Sequence, residues 1–283
     1  MSAPFGRRLC EVSRNRTSGG YRIVSIIDRE GPEPQAGQFY MLAAADGWGA
    51  RDGRAFLPRA ISVAETAPAA GGGERLDFLL DAVGPGTERL GTLRERDGVW
   101  IVGPLGNSFA APRDVKQGAA GAVLVGGGVG VAPLALLRQE FSRNAIPHRV
   151  LLGFRDQAHT GGLDLFCGSS GALCPEVRLA TEDGHAGVQG RVTDLLVPIL
   201  AGDDATSGVV YSCGPPAMLE AVRTLCAEHG VAVELALESP MACGFGACFG
   251  CAVPKPGGGF LRLCVDGPVL RGDEVEQVSH AYA

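Results

Sequence analysis

The pattern of apolar and polar positions changes its rhythm once along the chain. Residues 21–28 (YRIVSIID) are β-branched and roughly alternating, and short apolar runs recur at 39–42, 60–63, 76–80 and 99–102 between spacers rich in glycine and proline. Short strands at this spacing predict an antiparallel barrel or sandwich. From about residue 121, a continuous apolar run at 122–125 and strand patterns at 149–154, 209–211 and 233–237 alternate with helical patterns at 133–143, 191–200 and 216–229. That alternation predicts a parallel sheet covered on both faces. Beyond 237 the chain turns glycine- and cysteine-rich. The expected fold class is therefore multidomain β + α/β: an N-terminal antiparallel β-barrel over 1–112, a central parallel-sheet domain over 113–237, and a cysteine-loop subdomain over 238–283. Residues 67–73 read as a loop tip and 46–54 (DGWGARDGR) as a surface excursion; there is no internal repeat.

Composition narrows the class. The 283 residues are 46% apolar and 20% charged, enough to bury real cores, so general disorder is excluded. Glycine (43) and proline (18) are abundant without a collagen-like period, which points to many tight turns and to backbone held close to ligands. A net charge of −6 argues against nucleic acid as a partner. No apolar stretch reaches the roughly 18 residues of a membrane helix, and the arginines near the start have no apolar segment behind them, so a cytoplasmic setting without a secretory signal is expected.

Nine cysteines are an odd count without a readable export signal, which argues against a disulfide framework. Cys10, Cys167, Cys174, Cys213 and Cys226 are scattered and read as small buried residues. The other four form Cys243-Gly-Phe-Gly-Ala-Cys248-Phe-Gly-Cys251 and Cys264, a C-x4-C-x2-C-x12-C pattern. C-x4-C-x2-C…C is the plant-type spacing of a [2Fe–2S] cluster. Three thiolates must converge from one loop, and Gly244, Gly246 and Gly250 let its backbone wrap closely; the fourth is expected from a separate strand at 262–265. Four cysteines could also hold a structural zinc, which usually takes them as two close pairs in sequence. The spacing favours iron, and zinc stays the alternative.

Residues 122–133 (AVLVGGGVGVAP) read as a strand, a glycine turn and a helix. Gly127, Gly128, Gly130 and Pro133 would place bare helix N–H groups where an anionic nucleotide phosphate binds. The turn is not G-x-G-x-x-G, and a plain strand–helix turn is the alternative. A second junction at 209–218 (VVYSCGPPAM) has the same form, with Cys213 and Gly214 at its corner; both turns are expected at carboxyl ends of strands, where ligands bind. There Cys213 either faces the crevice or is one more buried thiol. Arg155 suits a 2′-phosphate and Asp156 a ribose hydroxyl, which leaves NADH and NADPH both open.

Taken together, the three regions resemble the electron transfer subunits of dihydroorotate dehydrogenase B, within the ferredoxin reductase superfamily. The resemblance rests on residues 241–251 (MACGFGACFGC) and 263–269 (LCVDGPV), with 103–109 (GPLGNSF) and Gly127-Gly-x-Gly-x-x-Pro133 in support. It implies that the barrel binds FAD. Arg59-Ala60-Ile61-Ser62 is similar to the family's R-x-x-S strand, in which arginine meets the pyrophosphate and the serine and backbone meet the isoalloxazine. The family usually has proline where this chain has Ala60. Leu79, Leu80 and Asp81 match the next flavin strand, and Gly86-Thr87 match a turn whose amides meet the flavin phosphates. The central domain would then bind NAD, with NADH favoured by the family alone.

The resemblance further implies an oxidoreductase subunit with no general acid or base. A nicotinamide delivers two electrons together, an iron–sulfur cluster accepts one, and a flavin handles both. The implied partner is the FMN-containing catalytic subunit that oxidises dihydroorotate to orotate in pyrimidine biosynthesis, in a heterotetramer of two plus two chains. Met241, Phe245 and Phe249 are candidates for that contact, or else local packing over the cluster. A subunit of a ferredoxin–NADP or electron-bifurcating reductase is the nearest alternative. A free-standing flavin reductase and a zinc-held interaction module on an inactive nucleotide fold are the others.

Overall fold

Six strands of the computed structural model, which describes residues 6–49, 55–167, 172–202, 208–276 and 278, close into an antiparallel barrel. They are β1 (Arg8–Ser18), β2 (Tyr21–Asp28), β3 (Phe39–Ala44), β4 (Arg59–Pro68), β5 (Glu74–Leu80) and, after the short helix α1 (Pro85–Gly91), β6 (Gly98–Leu105), in the order β1-β2-β5-β4-β3-β6. The expected strands are all present. β1 is an addition: it is mostly polar, turns only Cys10, Val12 and Ser18 fully inward, and is fixed by pairing with both β2 and β6. Tyr40 and Phe78 meet edge to face at 5.7 Å within the barrel core, a geometry that adds about 1 kcal/mol to their burial.

The second unit runs α2 (Pro112–Val115), β7 (Gly121–Gly127), α3 (Val131–Arg143), β8 (His148–Phe154), β9 (Val177–Thr181), β10 (Val188–Gln189), α4 (Val192–Leu200), β11 (Gly208–Cys213), α5 (Pro216–Glu228) and β12 (Ala232–Ala236). Its strands lie parallel in the order β10-β9-β8-β7-β11-β12. The cysteine-rich tail forms a hairpin of β13 (Ala252–Pro254) and β14 (Phe260–Arg262), then adds β15 (Val269–Arg271) antiparallel to the β12 edge. One sheet thus contains strands from both sides of residue 237.

Between β8 and β9, 3-10 turns replace a crossover helix among the described residues, and this segment is pinned to the barrel. Gly162 N–H donates to Ser18 Oγ at 2.9 Å, and Asp164 accepts from Arg16 and Ser18. Gly19, at φ +57°, lies so close that a Cβ there would sit 2.4 Å from the Thr160 carbonyl oxygen. On the opposite flank the barrel-side chain meets the sheet at Ala110, whose N–H donates to Glu234 Oε2 at 2.9 Å and whose carbonyl accepts from the Tyr211 hydroxyl at 2.9 Å. Ala36 N–H donates to Glu140 Oε1 on α3 at 2.8 Å. Hydrogen bonds to charged acceptors are worth about 1.5–3 kcal/mol each, enough to fix how the two units sit.

Candidate flavin cleft, nucleotide turns and cysteine centre

A cavity of about 430 Å³ opens where the three parts of the chain meet. β4 supplies Ala60, Ile61 and Ser62 to its wall, the end of β5 supplies Leu79, Leu80 and Asp81, and α1 supplies Thr87. Pro133 reaches it from α3, and Glu238, Pro240 and Met241 from the tail. Arg59 lies in an adjoining hollow that shares Ala60, Ser239, Pro240 and Met241 with the cavity and reaches Gly250 of the cysteine loop. Gly86 is next to it: a Cβ at Gly86 would stand 2.5 Å from Arg59 Nε. Two residues 27 positions apart in sequence, a guanidinium and a bare glycine backbone, therefore lie together beside the cleft, donor types that suit a phosphate. Arg59 Nη1 donates to the Leu57 carbonyl at 2.6 Å, which holds its fork in place. The apolar wall suits a flat aromatic ring system, and the donor set at the rim suits phosphate, so the residues fit FAD.

Glu238 is a wall residue that the sequence reading passed over. Burial pushes its carboxyl up. Its signal was an acidic residue placed directly between the apolar run 233–237 and the cysteine loop. Behind it, Cys213 is only 2% exposed, and burial followed by the Glu238 charge pushes its thiol well above the ordinary value. Cys213 therefore takes the buried alternative, and its thiol is not presented to the crevice.

The two glycine turns come together. β7 ends at Gly127, Gly128–Gly130 form a 3-10 turn, and α3 starts at Val131, two residues earlier than the sequence pattern indicated, with Pro133 inside its first turn. Gly126 pairs with Cys213 across β7 and β11. A Cβ on Gly130 would lie 2.6 Å from both the Cα and the N of Gly214. The N-terminus of α3 has no side-chain cap and starts at the carboxyl end of β7, where these turns meet. Farther along that edge, Arg155 Nη2 lies 2.6 Å from His159 Nε2, while Asp156 accepts from His159 Nδ1 at 2.5 Å and from the His159 backbone N–H at 3.0 Å. The His159 hydrogen bond, chiefly, holds the Asp156 carboxyl below its usual range.

The cysteine loop packs on the barrel. A Cβ at Gly244 would meet Met41 Cγ of β3 at 2.6 Å, and Gly244 and Gly246 have φ of +80° and +85°, which only glycine adopts freely. Cys251 Sγ lies 3.3 Å from Cys264 Sγ, and Gly246 N–H donates to Cys264 Sγ at 3.1 Å. Cys243 hydrogen-bonds with the Cys248 thiol. Burial disfavours the Cys243 thiolate, but N–H groups of Phe245, Cys248 and Ala247 together with that thiol outweigh it and bring Cys243 down to about 6. Cys264, buried and beside Cys251, is pushed up to about 12. Cys264 is not on a strand as expected: β14 stops at Arg262, and Cys264 sits in the turn closed by Asp266 N–H to the Arg262 carbonyl at 2.8 Å.

The donor set thus comes as two pairs, Cys243 with Cys248 and Cys251 with Cys264. Two thiolate pairs fit a centre of two irons with two protein ligands each. Inward N–H groups complete the fit, since thiolate sulfurs are tuned by such donors.

Comparisons with known proteins match both the cysteine tail and the chain as a whole. Residues 238–276 match the family described as the iron–sulfur cluster binding domain of dihydroorotate dehydrogenase B. Among solved structures, an NADH-dependent reduced ferredoxin–NADP oxidoreductase studied for flavin-based electron bifurcation matches with a TM-score of 0.77 at 26% identity, over 97% of this chain and 92% of that one. A ferredoxin reductase of carbazole 1,9a-dioxygenase shares the fold at a TM-score of 0.63 and 20% identity, over 82% of this chain and 67% of its own. The dihydroorotate dehydrogenase B (NAD(+)) electron transfer subunit of Clostridium acetobutylicum is 35% identical over 243 residues, 86% of this chain and 87% of its own. That of Caldanaerobacter subterraneus subsp. tengcongensis is 33% identical over 267 residues, 93% of this chain and 96% of its own. With that likeness running through the barrel, the parallel sheet and the cysteine loop alike, the chain belongs to the electron transfer subunits of dihydroorotate dehydrogenase B.

Proposed function

We propose that this chain passes electrons from NADH, through FAD in the three-way cleft and a [2Fe–2S] cluster at Cys243, Cys248, Cys251 and Cys264, to the FMN of a separate dihydroorotate dehydrogenase catalytic subunit. The reaction served is orotate formation in pyrimidine biosynthesis, in a heterotetramer of two plus two chains. The observation that carries the reading is the cleft itself: one cavity has walls from the barrel, from α3 and from Ser239–Pro240–Met241, and the last of these lies two residues before Cys243. The relatives' name supplies NAD(+) and the dihydroorotate system. No helix among the described residues is long and apolar enough to cross a membrane, which is compatible with a cytoplasmic setting.

In this reading residues 1–112 bind FAD, 113–237 bind NAD and 238–283 hold the cluster. Arg59 and the Gly86-Thr87 backbone hold the flavin phosphates; Ala60, Ile61, Ser62, Leu79, Leu80 and Asp81 seat the ring. Gly127, Gly128, Gly130, Pro133 and Gly214 build the two close-packed turns at the sheet edge that bind the dinucleotide. Cys213 contributes there as buried packing behind Glu238. FAD, when bound, splits a hydride's two electrons into single ones; the residues supply its position and keep it beside both exchange partners.

Protein purified without oxygen is expected to carry flavin and about two irons per chain, and to copurify with a dihydroorotate dehydrogenase catalytic chain. One zinc without iron overturns the electron-transfer reading. Recovery of a different flavoenzyme redirects it to the bifurcating-reductase reading, which the solved neighbour of that class favours. Arg59→Ala is expected to weaken FAD binding by about thirtyfold, the worth of a charge-assisted phosphate contact near 2 kcal/mol. Flavin release on dilution measures it. An unchanged FAD Kd places the pyrophosphate elsewhere.

A further inference from the structure

Both polar atoms of Gly246 are engaged at the cysteine centre. Its N–H donates to Cys264 Sγ at 3.1 Å, and its carbonyl accepts from Arg262 Nη1 at 3.3 Å. Arg262 is held on two further sides. Its guanidinium carbon lies 5.1 Å from the centroid of the Phe249 ring, and Asp266 Oδ2 accepts from the Arg262 backbone N–H at 2.7 Å while standing 3.6 Å from Nε. Phe249 has φ +59°, a conformation costly for a residue with a side chain, and its ring is 61% exposed under that cation. A strained backbone, a stacked guanidinium and a ligand-loop carbonyl thus meet at one arginine, two residues from Cys264.

We infer that Arg262 is a positioning residue of the cluster: it bolts the ligand loop through Gly246 and raises the cluster's reduction potential by fixing a cation on that loop, one residue's backbone away from the Cys264 sulfur. The inference rests on the proposed iron–sulfur reading. Four thiolates make the centre anionic, and reduction adds one electron, delivered by the reduced flavin, with no bond made or broken. A fixed positive charge favours the more negative, reduced form. Arginine suits the place because its fork donates to the carbonyl while its plane stacks on Phe249. Asp266 offsets part of that charge, so the pair sets the potential jointly.

The test is a redox titration of the anaerobically purified holoprotein, read by electron paramagnetic resonance of the reduced cluster, with iron measured on each variant. Arg262→Gln is expected to retain iron and to lower the ratio of reduced to oxidised cluster about threefold at fixed potential, ~28 mV at about 59 mV per tenfold for one electron. Arg262→Lys, which keeps the charge, is expected to restore most of that shift. Asp266→Asn, whose oxygen still accepts the Arg262 N–H, is expected to move the potential upward. An unchanged midpoint in Arg262→Gln, or an equal shift in Arg262→Lys, overturns the inference. If Arg262→Gln loses its iron, Asp266→Asn decides, and no upward shift overturns it. Zinc in the unmodified protein is the failure of the functional reading instead.

Discussion

Cys264→Ser is expected to remove the one-electron carrier and leave the two-electron half of the protein working. Cys264 is 3% exposed, pairs with Cys251 at 3.3 Å and receives the Gly246 N–H. A serine oxygen is a harder donor that keeps its proton at neutral pH, so it replaces a thiolate poorly on iron. Iron should fall to a small fraction of the unmodified content. Electron delivery to the catalytic subunit should fall more than about a hundredfold, because hydride chemistry alone offers no single-electron outlet. Cys264 does not line the flavin cavity, so NADH-driven reduction of a small-molecule acceptor at the flavin should stay within about threefold of the unmodified protein. Cys226→Ala is the control: that thiol is fully buried on α5 and lies outside the cysteine loop, and its loss should lower stability without lowering iron. If the two activities fall together in Cys264→Ser while flavin is retained, the cluster is not the exit of the path.

The sequence disclosed some parts of this protein for reasons that can be named. β2, β3, β4, β5 and β6 were legible because each puts a run of apolar residues against the barrel core. β1 was not, because Arg8–Ser18 turns few apolar side chains inward and owes its strand to partners on both sides. The pinned segment after β8 was equally hidden, since nothing local says that Gly162 and Asp164 will find Ser18. In the site, C-x4-C-x2-C-x12-C displays the ligand types but not that the sulfurs fall into two pairs, which depends on the fold of the loop over Met41. Arg59 and Gly86 gained their place only from the family pattern, and their contact is tertiary. Cys213 stood at the right corner, yet a side-chain direction at the end of a strand follows from register, and register turned it inward. Glu238 stood in the sequence as a carboxylate between a strand and the cysteine loop, and only the fold shows that it reaches the cavity wall.

Gly130→Ala is expected to separate the hydride-accepting function from everything downstream of it. Gly130 has φ −63°, a value alanine adopts without strain, so the whole effect is steric. The added methyl would lie 2.6 Å from Gly214 Cα and N and 2.7 Å from the Cys213 carbonyl carbon, all backbone atoms that cannot rotate aside. The β7 and β11 turns must therefore part by a substantial fraction of an ångström, at a cost of about 1–3 kcal/mol in overpacking. Those turns are where the dinucleotide is proposed to lie, and a misplacement of this size costs about a hundredfold when it spoils alignment between reacting atoms. kcat/KM for NADH should fall by about that factor, whereas flavin content, iron content and reduction by dithionite should match the unmodified protein. Gly208→Ala tests the far end of β11, where the new Cβ meets the Gly121 carbonyl in ordinary contact, oxygen at 3.5 Å and carbon at 3.9 Å; it should change kcat/KM by less than about twofold. A Gly130→Ala protein that oxidises NADH normally moves the nucleotide away from the junction of these two turns, and the central sheet then loses its assignment as the hydride entry point.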